Sequence, residues 1–188
     1  MEAANSIQTS VVDVPLRKIY IIRAAAALTW ALVFVLSSSK LTTVTMTLLI
    51  LYPGIDVVAS IADARSHAQA RVSHLQIVNA SLSVAAVVAI AITSTNDISA
   101  VLKAFGGWAL ISGLIQLAVA VSRASRVGWQ WAMLLSAALS TGAGLSFIGM
   151  AGKVNPTLHN VPGYAGLGAI LFLVSAFLLG RAAHSSKS

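Results

Sequence analysis

Residues 72–96 read VSHLQIVNASLSVAAVVAIAITSTN, an uncharged run between Arg71 and Asp97. A helix rises about 1.5 Å per residue and a bilayer core is about 30 Å thick, so about 20 apolar residues cross it. This run is long enough with little trimming. It lacks the period-two polar alternation of a membrane strand, and a helix is then the remaining way to satisfy every backbone N–H and C=O in lipid. Working outward, the stretches free of Asp, Glu, Lys and Arg are 24–39, 41–55, 72–96, 104–122, 127–152 and 154–180. The last four reach membrane length unaided. The first two do so only if Arg23 lies inside the first helix and Asp56 inside the second, giving expected spans of 19–37, 42–63, 75–93, 100–121, 129–150 and 163–180. The expected fold is an all-α membrane protein, with six transmembrane helices over 19–180 and cytoplasmic tails at 1–18 and 181–188.

Composition agrees. Of 188 residues 57% are hydrophobic and only 9% charged, against about 25% charged in a soluble domain, and the mean hydropathy is +0.87. The absence of cysteine excludes disulfides and thiolate metal clusters. A formal net charge of +7 would in a soluble chain suggest nucleic acid, but no basic cluster with interleaved aromatics is present to bind it. With the N-terminus in the cytoplasm, Arg17, Lys18, Arg23, Arg65, Arg71, Arg123, Arg126, Arg181 and Lys187 fall on or near the inner side. Only Lys40, Lys103 and Lys153 lie towards the other. That asymmetry sets an N-in, C-in orientation and makes membrane lipids the expected partners. Arg17 and Lys18 before the first apolar stretch, with Ser37 and Ser39 after it, have the flavour of a signal peptide. Arg23 interrupts the apolar region, however, and the stretch matches later helices.

Those matches form a repeat. Tyr52-Pro53-Gly54-Ile55, Phe105-Gly106-Gly107-Trp108 and Tyr164-Ala165-Gly166-Leu167 share an aromatic, a small or proline residue, a glycine and a bulky apolar residue. Asp63, Gln116 and Ser175 occupy corresponding later positions. The odd-numbered spans align at Arg23, Asn79 and Ser136. Three two-helix units that each begin on the same side are parallel repeats about a pseudo-threefold axis along the membrane normal. The alignment sets Arg23 beside Asp63, Asn79 beside Gln116, and Ser136 beside Ser175, as an ionic, an amide and a hydroxyl pair.

Charged residues inside a membrane are costly and call for a functional reading. Asp56, Ser60 and Asp63 stand at i, i+4 and i+7 on one helix face. From the helical rise Arg23 lies about 6 Å and Asp56 about 10 Å from the inner boundary. A salt-bridged seam joining two helices is one reading; a proton or cation relay through Asp56 is the other. Pro53, in mid-helix, frees the carbonyl of Leu49 and kinks the helix about one turn from Asp56, as a bent packing element or as the edge of a hydrated cavity. Small residues at packing spacing, such as Ala109 with Gly113, Ser136 with Ser140 and Ser140 with Gly144, allow close helix approach and are compatible with a homo-oligomer.

Other chemistry finds little support. His67 and His74 are expected in an inner loop, His159 in an outer loop and His184 in the tail, so no two histidines share a face for zinc. There is no phosphate-binding glycine loop and no nucleophile elbow, and the Asn79-Ala80-Ser81 sequon falls inside a span. Neither an enzymatic activity nor a cofactor is expected. His159 is the one histidine placed to gain charge as the outer medium acidifies.

The stretch Phe105-Gly106-Gly107-Trp108-Ala109-Leu110-Ile111-Ser112-Gly113-Leu114-Ile115-Gln116, the basic turn at Arg123 and Arg126, and Ala132-Met133-Leu134-Leu135-Ser136 after it carry a resemblance. Over most of 17–181 the chain resembles the short-repeat membrane proteins typified by HdeD. The resemblance implies a six-helix bacterial inner-membrane protein associated with acid resistance, with no catalytic residues to carry over. The segment Tyr52-Pro53-Gly54-Ile55-Asp56 departs from it. Two function classes follow: a non-enzymatic protein of this type, acting in acid or envelope stress tolerance by packing or assembly, and a small proton or ion transporter using Arg23, Asp56 and Asp63. A membrane scaffold for a partner is a third.

Overall fold

A computed structural model of the chain describes residues 2–37, 40–66, 70–93, 97–127 and 131–185. Six helices follow one another: α1 Glu2–Ser37, α2 Thr43–Ser66, α3 Ala70–Ala91, α4 Ile98–Val127, α5 Trp131–Ala151 and α6 Val161–Ser185. The portions long and apolar enough to cross a membrane are Arg17–Ser37, Thr43–Arg65, Ala70–Ala91, Ile98–Arg123, Met133–Ala151 and Val161–Leu178. The chain is a multi-pass membrane protein. Most of its helices overrun the expected spans, although α3 stops at Ala91 and α5 starts only at Trp131. α1 begins at Glu2, so most of the segment expected as a tail is helical and continuous with the first span, and α6 runs on to Ser185. α3 begins at Ala70, which puts His74 on an exposed helical position instead of in a loop. His67 and Lys187 lie outside the described residues, as do the side chains of Arg126 and His184.

Local sequence sets the helix starts. Before α2, the Thr45 N–H donates to Thr42 Oγ1 at 3.2 Å and the Thr42 N–H to Thr45 Oγ1 at 2.7 Å, a reciprocal cap that serves donors otherwise unsatisfied in apolar surroundings. Before α4, Asp97 Oδ1 accepts the Ala100 N–H at 2.8 Å. Pro162 sits in the first turn of α6, where its missing N–H costs nothing.

The helices form a ring in chain order, closed where α6 packs against α1. The most extensive contacts are α2 with α3, α4 with α5, and α6 with α1; the pairs α1 with α2, α3 with α4, and α5 with α6 are looser. The reason is plain at the α4–α5 seam. A Cβ added to Gly144 would lie 2.4 Å from the Leu110 nitrogen, and one added to Gly113 2.7 Å from the Thr141 nitrogen, so the two backbones touch through their glycines.

The connections after α1, α3 and α5 define one end of the ring, the hairpin end; the termini lie at the other. The core of the hairpin half sets the aromatic Trp30, Phe34, Phe105, Trp108 and Phe147 among a larger number of aliphatic residues. At its centre the rings of Tyr52, Phe105 and Tyr164 form a near-equilateral triangle, with centroids 6.0, 6.2 and 6.4 Å apart. A smaller cluster at the terminal end gathers Tyr20, Val72, Val119, Ala120, Met133 and Ala176. Leu32, Leu36, Val58, Ile92, Leu145 and Phe177 are exposed on the outside, an apolar surface that suits lipid and not water.

Candidate functional site

Between the two apolar clusters lies a polar layer centred on Asp56, at the middle of α2. Asp56 Oδ1 accepts from Arg23 Nη2 of α1. Its other oxygen, Oδ2, accepts from Asn79 Nδ2 at 2.7 Å and from the Ser83 hydroxyl at 2.9 Å, both on α3. Ser83 in turn accepts from Trp108 Nε1 of α4 at 2.9 Å. One carboxylate thus ties three helices directly and a fourth through a hydroxyl. Arg23 also lies over the face of Phe172 on α6, 5.2 Å from the ring centroid, a placement the ring quadrupole favours.

A second ion pair stands about two turns along α2. Asp63 Oδ2 accepts from Arg123 Nη2 of α4 at 2.6 Å and from Gln76 Nε2 of α3. Both Asp63 and Arg123 are only 1% exposed. Arg123 Nη1 donates to the Tyr20 hydroxyl of α1 at 3.3 Å, and that hydroxyl donates to Met133 Sδ of α5 at 3.3 Å. A buried charge is tolerable only when it is both paired and hydrogen bonded, and each of these pairs is.

The elements deliver this arrangement because two polar faces meet. Asp56, Ser60 and Asp63 recur on one face of α2, and Gln76, Asn79 and Ser83 at i, i+3 and i+7 on one face of α3. The helices run antiparallel, so Ser83 and Asn79 reach Asp56, Asn79 also donates to Ser60 Oγ at 2.9 Å, and Gln76 reaches Asp63. Pro53 lies within α2, and the Trp30 indole N–H of α1 donates to the Leu48 carbonyl in the preceding turn at 2.5 Å. The carbonyl served is therefore Leu48, beside the Leu49 oxygen expected to be freed.

The bonding partners differ from the repeat correspondences. Arg23 bonds Asp56, while Asp63 bonds Arg123. Asn79 belongs to the Asp56 cluster, whereas Gln116 donates weakly to Ser112 of its own helix at 3.4 Å. Ser175 donates to the Leu171 carbonyl in its own helix at 2.9 Å. Arg123, expected to do no more than set orientation, is an interior residue. Its signal was present in the spacing: Ser112, Gln116 and Arg123 stand at i, i+4 and i+11, one face of a helix.

Beside the Arg23–Asp56 pair the ring holds a half-open cavity of about 50 Å³. Its polar wall comprises Arg23, Asp56, Ser112, Gln116, Ser136 and Ser140, and its aromatic wall Tyr52, Trp108, Tyr164 and Phe172. At roughly 30 Å³ per water this is space for very few small molecules. His159 is exposed at the hairpin end, where it borders a separate groove between α5 and α6. Among the described residues no three His, Asp or Glu side chains converge to hold a metal. The chain matches no family model, no curated protein and no solved structure.

Proposed function

We propose that the protein is a non-enzymatic, HdeD-type component of the bacterial inner membrane that supports acid or envelope stress tolerance through a tightly assembled membrane domain. The observation that supports this reading is the matching of the deep charges. Asp56 with Arg23 and Asp63 with Arg123 make two hydrogen-bonded ion pairs of zero net charge, the first joining α2 to α1 and the second joining α2 to α4. Such pairs hold helices in one register when water cannot compete for them. We further read the six helices as three parallel two-helix units with both termini in the cytoplasm. The triangle of Tyr52, Phe105 and Tyr164 and the alternation of tight and loose helix contacts support that symmetry.

The experiment pairs acid survival of a deletion strain with a pH-sensitive dye trapped in proteoliposomes under an imposed acid gradient. The expected result is acid-sensitive growth on deletion and no proton flux through well-folded protein. Sustained flux that disappears in Asp56→Asn would instead establish the second reading, a small proton or ion transporter using Arg23, Asp56 and Asp63. That reading is favoured by the cavity bordering Arg23 and Asp56.

A further inference from the structure

The cavity and the α5–α6 groove share four residues, Ser136, Ser140, Tyr164 and Gly168. At this shared wall the Tyr164 hydroxyl of α6 donates to Ser140 Oγ of α5 at 3.1 Å. The groove lies outside the wall and runs past Gly142, Ser146 and Gly163 to His159 and Asn160 at the hairpin end. It is spacious, since a Cβ added to Gly142 or Gly163 would meet nothing within 4 Å. The α5–α6 pair is also one of the looser contacts of the ring. The rings of Tyr52, Phe105 and Tyr164 pack together on the hairpin side of the cavity, and Phe172 packs against Tyr20, with ring centroids 5.9 Å apart, on its terminal side.

We propose that the cavity is a binding site for a small neutral hydrogen-bonding amphiphile, which enters sideways from the bilayer along the α5–α6 groove through a gate formed by Tyr164 and Ser140. The lining sets the chemical class. The charges of Arg23 and Asp56 are spent on each other, and the second Asp56 oxygen is taken by Asn79 and Ser83. An ion would therefore arrive without a counter-charge in a low-dielectric site. What the wall offers a ligand is the hydroxyls of Ser112, Ser136 and Ser140 and the amide of Gln116, facing the apolar Phe172, Ala27 and Ile55. An alcohol, a primary amide or a protonated carboxylic acid of about three heavy atoms, the size the cavity admits, has the matching donor, acceptor and apolar surface. Such neutral molecules also permeate lipid, the phase onto which the groove opens.

The chain has no cysteine, so a single thiol reports access without background. Ser112 lines the cavity and not the groove, and Ser112→Cys is nearly isosteric. The full chain carrying it, in phospholipid vesicles, is treated with neutral, lipid-soluble methyl methanethiosulfonate, or with the anionic sulfonatoethyl reagent on both faces. The neutral reagent is expected to modify the thiol and the anionic one not to. Adding Tyr164→Phe removes one neutral hydrogen bond from the gate, and should raise the neutral rate by about two- to tenfold. Adding Gly142→Leu, at a groove position where an added Cβ meets nothing within 4 Å, should slow it several-fold. Equal modification by the anionic reagent, no modification by either, or rates indifferent to both Tyr164→Phe and Gly142→Leu would overturn the proposal.

Discussion

Asp56 gives one oxygen to Arg23 and the other to Asn79 and Ser83, so a change at this carboxylate is felt on both sides. Asp56→Leu leaves a guanidinium inside the ring without its partner, and should destabilise the protein by about 3–5 kcal/mol. Arg23→Leu combined with Asp56→Leu removes both charges, and should recover most of that loss because the desolvation cost of the pair disappears with it. Thermal unfolding of the two variants in detergent checks the difference; equal destabilisation would mean that the pair does not act as a unit. Ser83→Ala deprives Trp108 Nε1 of its acceptor and Asp56 of a donor. It should cost about 1–3 kcal/mol, with a shift in tryptophan emission as the indole environment changes.

At the scale of elements, α4 and α5 are in contact through glycine, and the same residue type behaves differently a few positions away. Gly144→Ala sets a methyl 2.4 Å from the Leu110 nitrogen and should cost about 1–3 kcal/mol by forcing the seam apart. Gly142→Ala meets open space and should fall within about 0.5 kcal/mol of the parent. A melting-temperature comparison of the two decides whether backbone contact fixes this helix pair. α2 carries a different liability. Trp30 bonds its Leu48 carbonyl from outside, and Trp30→Phe keeps the aromatic packing on Phe34 and Tyr52 while removing that hydrogen bond. The expected loss is about 0.5–1.5 kcal/mol, the net worth of one hydrogen bond, read by unfolding in the same detergent.

For the molecule as a whole, orientation is the testable consequence of the charge asymmetry. Cytoplasm-active reporters fused to either terminus should both be active, and a thiol placed at Lys153 should react with an impermeant reagent from the outside only. The α6–α1 contact closes the ring, and Arg23 on α1 meets Phe172 on α6 across it. Much of this could be read in the chain. Arg23 and Asp56 stood out because they interrupt runs otherwise long enough to span, and Asp56, Ser60 and Asp63 shared a face by spacing. Arg123 did not stand out, because a cation beside Arg126 at a span end looks like an orientation signal. Gln76 and Ser83 were equally quiet, since polar residues of that size are tolerated on many helix faces.

The amino-acid sequence determined that there are six spans and roughly where each lies, because the cost of placing a segment in lipid depends on its own composition and length. It also marked Arg23 and Asp56 as interior charges that need partners. Only the tertiary structure decided which partners they find. Asp63 bonds Arg123, 60 positions away, and Arg23 takes Asp56 over the aligned Asp63. Such choices depend on the rotation and depth of each helix, which are set by close packing, as at the α4–α5 glycine seam, and by ring closure, and neither is a property of one helix alone.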